Sequence, residues 1–258
     1  MNQNAAAYFV DRHLSEGRGG KIAFQEADGD RRALSYGELA DQSARFADAL
    51  TRHGVRREER VAMIVRDQIE FPIAFSGAEP APTVEAHEDE LAFWLYSSGS
   101  TGAPKGVRHV HASLKATADT FGAQVLGIHE DDIVYSVAKM FFAYGLGNAM
   151  SFPMSVGATT ILFGVRPTPD AVLDIMARHR PTLFCGVPTL FAAVVAEQEK
   201  RGTAPDHAIR LCTSAGEALP RDIGQRWEKL WGAEIVDGVG STEMLHIFLS
   251  NRPGQIAY

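Results

Sequence analysis

SSGSTGAPKG, residues 97–106, directly follows the short apolar run FWLY, residues 93–96. Glycines let backbone N–H groups approach phosphate oxygens, the hydroxyls can donate further hydrogen bonds, and Lys105 can neutralise negative charge. The stretch is not a Walker A loop, because Lys105 is followed by Gly106 instead of Ser or Thr. A Ser/Gly surface linker is the alternative, but a strand-bounded run ending in Pro-Lys-Gly is more ordered than linker composition requires. The stretch therefore predicts a phosphate-binding loop.

Apolar runs of the kind found in buried parallel strands recur on both sides of this loop. They are Val61–Val65, Phe93–Tyr96, Ile133–Tyr135, Thr159–Phe163, Thr182–Cys185 and Ile209–Cys212. Helical spacing marks a segment opened by the capping box Ser35–Glu38 and the segments Ala171–His179, Thr189–Lys200 and Pro220–Leu230, the last with Pro220 as its first helical residue. Because strands alternate with helices, the sequence predicts an α/β fold with a largely parallel sheet.

One segment interrupts this alternation between the first predicted strand and the loop. The chain passes through the Pro-containing residues 79–83 and then through a polar, acidic run from Glu85 to Glu90. This composition predicts a linker at residues 79–90. It divides the chain into an amino-terminal α/β part, residues 1–78, and a second α/β part, residues 91–258.

Composition excludes several classes of partner. The chain has 258 residues, 45% hydrophobic and 22% charged, with a formal net charge of −7 and no stripe of Lys and Arg, which argues against nucleic acid and anionic membranes. Cys185 and Cys212 match no metal-ligand spacing and are interpreted as core thiols in a reducing cytoplasm. No apolar run approaches the roughly 20 residues that a membrane helix needs. We therefore expect a cytoplasmic protein with a small-molecule substrate.

Three motifs together resemble the adenylate-forming superfamily of acyl-CoA synthetases, luciferases and adenylation domains. Residues 97–106 match its phosphate loop, Ser214–Glu217 follows a strand as its adenine-contacting turn does, and Asp237–Glu243 resembles its core motif. The resemblance implies that Lys105, Thr242 and Glu243 are catalytic and that Glu243 holds Mg²⁺. The nucleotide-binding residues that it implies are Ser97, Ser98, Gly99, Ser100, Thr101, Gly102, Lys105, Ser214, Ala215, Gly216, Glu217, Asp237, Gly238 and Thr242.

Two further segments resemble the benzoate-CoA ligase branch of that superfamily. Lys139–Asn148 combines consecutive aromatic residues with glycines, and Gly240–Asn251 contains the core motif and His246. Taken alone, the first segment is typical of a helix start that packs aromatic residues into a core. The resemblance instead implies an aryl pocket, in which Phe142 is the aromatic gate where many relatives have histidine. Its implied lining is Phe142, Ala143, Tyr144, Gly145, Gly240 and His246.

The same resemblance implies that parts are absent. A complete ligase would have another strand–helix section between Ala78 and Glu79, so we expect an internal deletion there. We also expect a partial large amino-terminal domain without the small carboxyl-terminal domain, which in the family supplies a catalytic lysine and completes the coenzyme A tunnel.

The implied reaction has two steps and uses ATP, Mg²⁺ and coenzyme A. Benzoate or a related aromatic acid would form aryl-AMP and pyrophosphate, and the coenzyme A thiol would then form aryl-CoA. We expect an incomplete chain that is poor in the full reaction. An inert nucleotide- or aryl-acid-binding remnant and a truncated product that folds badly are the alternatives. His109, His111 and the turn Asp131–Asp132 are assigned no catalytic role.

Overall fold

A computed structural model describes residues 4–77, 84–98, 102–203 and 206–258. Eight strands form one sheet in the order β10-β9-β8-β7-β5-β6-β1-β2, and β3 and β4 form a separate hairpin. The strands are β1 Ile22–Glu26, β2 Ala33–Ser35, β3 Leu91–Ser98, β4 Pro104–Val110, β5 Ile133–Ser136, β6 Thr159–Leu162, β7 Leu183–Gly186, β8 Leu211–Ala215, β9 Ile235–Gly240 and β10 Ile247–Ser250.

Helices cover the sheet and connect its strands. They are α1 Arg12–Ser15, α2 Tyr36–Arg52, α3 Glu70–Ser76, α4 His111–Thr117, α5 Ala143–Leu146, α6 Phe152–Val156, α7 Pro169–His179, α8 Pro188–Arg201 and α9 Arg221–Trp231. Wider π-helical turns at Ala7–Asp11, Ala118–Val125 and Gly147–Ser151 continue α-helices. The described helices include none that combines the length and the apolar composition needed to cross a bilayer.

Most of the sheet is parallel, which confirms the predicted α/β fold. The pairs β1–β6, β6–β5, β5–β7, β7–β8 and β8–β9 are parallel, and only the edge strands β2 and β10 pair antiparallel. Parallel strands point their carboxyl ends to one edge of the sheet, so the loops after β5, β6, β7, β8 and β9 lie along the same edge. This is where ligands bind in open α/β sheets.

The predicted capping box is confirmed. The Ser35 hydroxyl accepts from the backbone N–H of Glu38 at 3.2 Å, and the Glu38 carboxylate accepts from the backbone N–H of Ser35 at 2.8 Å. These two bonds satisfy amides that an uncapped helix start leaves free. Helix α9 begins one residue later than predicted, because Pro220 has extended backbone angles and is its N-cap.

Two predicted strands require correction. The segment Val61–Val65 is not a strand in the structure, and the side chain of Ile64 is 99% exposed. No described strand lies beside it, so its backbone has no ladder partner. Met63 and Val65 pack partly against the buried core, whereas Val61 and Ile64 are exposed. The segment Phe93–Tyr96 is a strand, but it is antiparallel to β4 instead of belonging to the parallel sheet.

The two predicted α/β parts share one sheet. Strand β1, from the amino-terminal part, lies between β2 and β6, and Phe24 pairs with Thr160. Residues near the predicted linker also pack against the rest of the protein, since the side chain of Asn4 donates to the carbonyl of Val84 at 3.1 Å. The backbone pairing of β1 therefore links residues before and after the predicted linker.

Buried apolar residues cover both faces of the sheet. Phe24, Leu34 and Phe152 belong to one cluster, whereas Tyr135 and Phe184 belong to a second. The second cluster also contains Cys212, which is fully buried and free, as is Cys185 in the first, so the prediction of core thiols is confirmed for both residues. These two layers hold the strand ends in place.

Candidate functional site

The predicted phosphate loop joins the strands of the β3–β4 hairpin. Ser97 pairs with Lys105 in the hairpin register, and Lys105 is exposed beside the loop. Gly102 has a φ of 85°, a backbone conformation that side-chain-bearing residues rarely adopt. Gly99, Ser100, Thr101 and the side chain of Ser98 lie outside the described residues. The hairpin thus places the lysine at the strand side of the predicted loop.

Gly106 permits close packing on one face of this hairpin. A Cβ atom added to it would lie 3.0 Å from the Trp94 ring and 3.3 Å from the Tyr96 ring. The guanidinium of Arg60 also lies over the Trp94 ring, 4.9 Å from the ring centroid. The glycine of the predicted Pro-Lys-Gly ending therefore has a packing role in addition to any ligand-binding role.

The predicted adenine turn follows β8 at the carboxyl edge of the sheet. Ser214 lies opposite Asp237 of β9, and Ala215 lies opposite Gly238. Ser214 is fully buried and its hydroxyl has no described hydrogen-bond partner. Asp237 accepts from the backbone N–H of Leu219 at 3.2 Å through one carboxylate oxygen, while its other oxygen is buried without a described partner.

Unpartnered buried polar atoms are costly, and natural proteins usually satisfy them with water or ligand. The Ser214 hydroxyl and the Asp237 carboxylate oxygen lie on neighbouring strands, at the edge where the predicted nucleotide site is expected. After them, Gly216 has a φ of 96° and starts an exposed turn that includes Glu217. The local chemistry fits a bound group that carries hydrogen-bond donors and acceptors, such as a nucleotide.

Thr242 and Glu243 lie in the turn between β9 and β10. The turn is closed by a hydrogen bond from the backbone N–H of Leu245 to the carbonyl of Thr242, at 3.1 Å, and Leu245 has a φ of 63°. Glu243 is exposed, and no group of three or more His, Cys, Asp or Glu residues in the described ranges could hold a metal ion. One accessible carboxylate fits Mg²⁺, which is commonly held by one or two carboxylates together with substrate phosphates.

His109 connects the hairpin to this turn, although its place in the sequence predicted no catalytic role. Its ring is 3% exposed and stacks on Phe93 of β3, with centroids 5.1 Å apart. Burial lowers the pKa of His109, and the Thr242 backbone and the Glu243 carboxylate oppose that effect. The available signal was its position as a polar residue within a strand that directly follows the predicted phosphate loop.

Tyr144 of α5 is fixed against two neighbouring strands. Its hydroxyl oxygen lies 3.1 Å from the carbonyl oxygen of Gly186 and 2.9 Å from that of Thr213. Burial raises the pKa of this hydroxyl well above its ordinary value, so it remains a neutral donor. The side chain therefore spans the ends of β7 and β8, next to the predicted adenine turn.

His246 packs against Tyr144 in an aromatic cluster. The two rings are stacked with centroids 5.4 Å apart, and Phe121 and Phe152 contact the other sides of the imidazole at 5.0 and 4.5 Å. Burial lowers the pKa of His246 to about 3, against a smaller opposing effect of the Tyr144 backbone. Both ring nitrogens are buried without a partner among the described residues, so a neutral imidazole is left to interact with a ligand or water.

Glycines allow this cluster and the preceding turn to form. A Cβ at Gly147 would lie 2.4 Å from the His246 ring, and a Cβ at Gly145 would lie 2.0 Å from the carbonyl oxygen of Lys139. At Gly240 it would lie 2.8 Å from the carbonyl oxygen of His246. Gly145 and Gly240 are thus required by backbone packing, whether or not a substrate also contacts them.

Phe142 lies outside the Tyr144–His246 cluster. It is 57% exposed, contacts the Phe141 ring in a tilted arrangement with centroids 4.5 Å apart, and lines a cavity of 490 Å³ at the carboxyl ends of β5, β6 and β7. Ala143 is half-buried and packs against the first core cluster. The predicted aryl residues therefore face two places, an enclosed aromatic cluster and an open cavity beside it.

The model of the AMP-binding enzyme family matches residues 11–79 and 76–257. The chain belongs to this family. The match covers nearly the whole chain in two segments that meet at residues 76–79, where the sequence predicted a deletion. The adenylate-forming resemblance is therefore confirmed.

Aryl-CoA ligases are among the relatives of this chain. It is 41% identical to the 4-hydroxybenzoate–CoA/benzoate–CoA ligase of Rhodopseudomonas palustris, over 99% of the chain and 60% of the relative. It is 40% identical to the benzoate–CoA ligase of Thauera aromatica, over 99% and 62% of the two chains. The chain thus spans about three fifths of the length of these curated relatives.

Solved structures agree with the sequence relatives. The crystal structure of a benzoate CoA ligase from Burkholderia xenovorans LB400 superposes with a TM-score of 0.91 at 39% identity, covering 99% of this protein and 64% of that chain. The anthranilate CoA ligase AuaEII in complex with anthranoyl-AMP gives 0.91 at 28% identity, over 99% and 62% of the two chains.

The alignments also contain a long gap. The alignment with the Rhodopseudomonas palustris relative runs over 331 positions, whereas this protein has 258 residues, so at least 73 positions of the relative have no counterpart. The alignment with the Thauera aromatica relative has the same length. Together with the two-segment family match, this gap agrees with an internal section missing near residue 78.

Proposed function

We propose that this chain carries the nucleotide-binding and aryl-acid-binding part of an ATP-dependent aryl-CoA ligase, with benzoate or a close relative as its acid. The observation that carries the proposal is the contact between Tyr144 and His246 beside the predicted adenine turn. It provides a flat aromatic wall next to unpartnered polar atoms of Ser214 and Asp237. An aromatic carboxylate and a nucleotide need these two environments side by side.

The first step joins the acid to AMP. A carboxylate oxygen of the aryl acid attacks the α-phosphorus of ATP, the bond to the bridging oxygen breaks, and pyrophosphate leaves. Lys105 would offset the negative charge of the phosphates, and Thr242 would donate a hydrogen bond to the α-phosphate. Glu243 would hold Mg²⁺, which supplies charge neutralisation at the phosphates when it is bound. The chain's own contribution is alignment and charge stabilisation.

The second step uses coenzyme A. Its thiolate attacks the carbonyl carbon of the aryl-AMP, and AMP leaves with the electrons of the carbon–oxygen bond. Phe142 is exposed at the open cavity, and in this proposal it would cover the ring or admit the thiol. The structure of the related anthranilate CoA ligase contains anthranoyl-AMP, which supports an aryl adenylate as the intermediate of the proposed reaction.

We also propose that a section of at least 73 residues is missing near residue 78 relative to these ligases. The unpaired segment Val61–Val65, in which Val61, Ala62 and Ile64 are exposed, supports this, because an apolar segment of this kind is normally covered by a neighbouring strand. An inert remnant that binds ligand without catalysis is the second candidate, and the same exposed segment favours it.

The test separates binding from chemistry in the purified chain. Calorimetry with Mg²⁺ and ATP, then with benzoate, should give heat for both ligands, and acetate should compete poorly with benzoate. Pyrophosphate release and aryl-CoA formation, followed in parallel, distinguish a slow ligase from the remnant. A well-folded chain that binds neither ATP nor benzoate would contradict the proposal.

A further inference from the structure

Three loops meet around the 490 Å³ cavity at the carboxyl edge of the sheet. They follow the exposed segment Val61–Val65, strand β5 and strand β6, and each contributes a charged residue, respectively Asp67, Lys139 and Arg166. The wall between the cavity and the aromatic cluster is the turn of residues 138–145, which leads from β5 into α5. Contacts that hold this turn in place therefore also set the positions of Phe142, Ala143 and Tyr144, which belong to it.

Asp67 is bonded directly to the turn. Its carboxylate oxygens accept from the backbone N–H of Met140 at 3.1 and 3.3 Å, and the aspartate is only 4% exposed. Burial raises the pKa of Asp67 to about 6, whereas Lys139 and the Met140 N–H oppose the shift. Because this hydrogen bond lowers the pKa, it is stronger to the carboxylate than to the protonated acid.

Lys139 fastens the same turn to the loop after β6. Its ammonium group donates to the carbonyl of Phe163 and, at 3.0 Å, to that of Val165. Burial lowers the pKa of Lys139, and the carboxylates of Asp67 and Asp28 oppose that effect. The turn is therefore held on one side by a buried carboxylate and on the other by two carbonyl acceptors.

The turn itself has little freedom to adopt another shape. The backbone N–H of Phe142 donates to the carbonyl of Lys139 at 3.0 Å, and that of Leu146 donates to the carbonyl of Phe142 at 2.8 Å. Gly145 packs directly on the Lys139 carbonyl. A change at Met140 is thus transmitted through consecutive hydrogen bonds to the start of α5, which carries Tyr144.

We propose that Asp67 is a positioning residue for the aryl-acid site: in its charged form it holds the Met140 amide and so sets the orientation of Phe142 and Tyr144. This inference rests on the proposed function for its effect on aryl-acid binding. Its structural part, the control of the turn by the charge on Asp67, does not depend on which ligand binds.

Protonation of Asp67 should loosen the turn as the pH falls through about 6. Among the charged groups near it, Lys139 on the turn favours the ionised form, and Arg66 and Arg166 also line the cavity. Asp28 acts on Lys139 from the other side. An aromatic carboxylic acid with an ordinary pKa of about 4 stays ionised above pH 5.5, so a change in its affinity reports on the protein.

The experiment follows the amide protection of Met140 by NMR hydrogen exchange and the benzoate affinity by calorimetry, from about pH 8 to about pH 5.5. Wild-type protection, corrected for the intrinsic exchange rate, should fall about fivefold over this range, and benzoate affinity should fall by a similar factor. In Asp67→Asn both should be low and independent of pH. Asp30→Asn, at an exposed position, is the matched control and should behave as wild type.

Affinity for Mg²⁺ and ATP, measured in the same samples, should be unchanged by Asp67→Asn, because the hydrogen bonds described for Asp67 go to Met140, which lies outside the predicted phosphate and adenine motifs. Met140 protection that does not change with pH in the wild type would overturn the inference, whatever the variant does. Absence of benzoate binding at every pH, together with pH-dependent Met140 protection, would overturn the proposed function and leave the positioning role supported.

Discussion

Tyr144 and His246 stack with their ring centroids 5.4 Å apart and their planes inclined by 29°. They come from segments about 100 positions apart in the chain, after β5 and before β10, and the parallel sheet brings both segments to one edge. Their proposed role as the aryl wall is open to direct tests, because each residue has a second, measurable structural function.

Tyr144→Phe should reduce both stability and benzoate affinity. The variant keeps the ring but leaves the carbonyls of Gly186 and Thr213 without their hydroxyl partner. We expect a loss of about 1 kcal/mol in the free energy of unfolding, measured in urea, and weaker benzoate binding by calorimetry. Tyr96→Phe, at a side chain that is 69% exposed, should change neither quantity. Unchanged stability in Tyr144→Phe would contradict the role of this hydroxyl.

His246 should make the stability depend on pH in mildly acidic solution. Its pKa is about 3 in the folded protein and about 6.5 when unfolded, so the unfolded chain binds more protons between these values. The contribution is complete above about pH 6.5 and falls by about 1 kcal/mol for each pH unit below it, until the pH reaches the folded pKa.

The variant His246→Phe tests this pH dependence, because it keeps an aromatic ring and removes the group that binds the proton. Its free energy of unfolding should fall less steeply between about pH 7 and about pH 5 than that of the wild type. His53→Phe, at an exposed helix end, should retain the wild-type slope. Equal slopes for His246→Phe and wild type would show that the imidazole is already protonated or exposed in the folded protein.

Lys105→Ala should weaken the binding of ATP in the presence of Mg²⁺. The side chain is exposed beside the predicted phosphate loop, so its removal should leave the fold intact. We expect a loss of about 1.5–3 kcal/mol in binding free energy if the ammonium group contacts phosphate. Lys229→Ala removes an equal charge from an exposed position on α9 and is the control. Equal ATP affinities of the two variants would show that the phosphates of ATP do not contact Lys105.

Asp132 should contribute to stability at neutral pH and lose that contribution in acid. Burial alone would raise its pKa, but the Arg210 guanidinium, the Thr182 hydroxyl and the His129 backbone N–H lower it below its ordinary value. The stabilisation is therefore present above the unfolded pKa of about 4 and is lost as the pH falls through the lower folded pKa.

Arg210→Met tests this contribution, because it leaves a fully buried carboxylate without its cation. We expect a loss of about 2–3 kcal/mol in the free energy of unfolding at pH 7, below the range for a fully buried pair since Arg210 is 34% exposed, and a smaller loss near pH 3. Arg45→Met, from an exposed pair with Asp41, should cost less than about 1 kcal/mol. A loss that does not depend on pH would rule out the ion pair as its source.

The parallel core was predictable because fully buried strands have continuous apolar runs. The runs Ile133–Tyr135 and Thr159–Phe163 contain the strands β5 and β6, whose side chains meet apolar neighbours on both faces of the sheet. The same pattern misled at Val61–Val65, because strand formation needs a partner as well as a suitable sequence. Local sequence contains no information on whether that partner is present.

Residues of the candidate site could be predicted where they belong to a continuous sequence motif. They could not be predicted where their role depends on contacts with residues far away in the chain. The aryl role of the segment containing Tyr144 was predicted from its resemblance to the benzoate-CoA ligase branch and not from its own pattern, and the stacking of Tyr144 on His246 is seen only in the fold. Asp67 and His109 were not recognised, because their significance lies in contacts with Met140 and with the Thr242 turn. A lone acid or histidine has no distinguishing pattern in sequence, since its function depends on burial and on a remote neighbour.

The position of β1 between β2 and β6 affects how the protein is made. Phe24 pairs with Thr160, 136 positions later, so a ribosome adding about 5–20 residues per second leaves that side of β1 unpaired for roughly 7–27 s. Strand β2, which follows within a few residues, protects only the opposite side. The nascent chain therefore presents an open strand edge for much of its synthesis, and cellular chaperones would have to shield it from neighbouring chains.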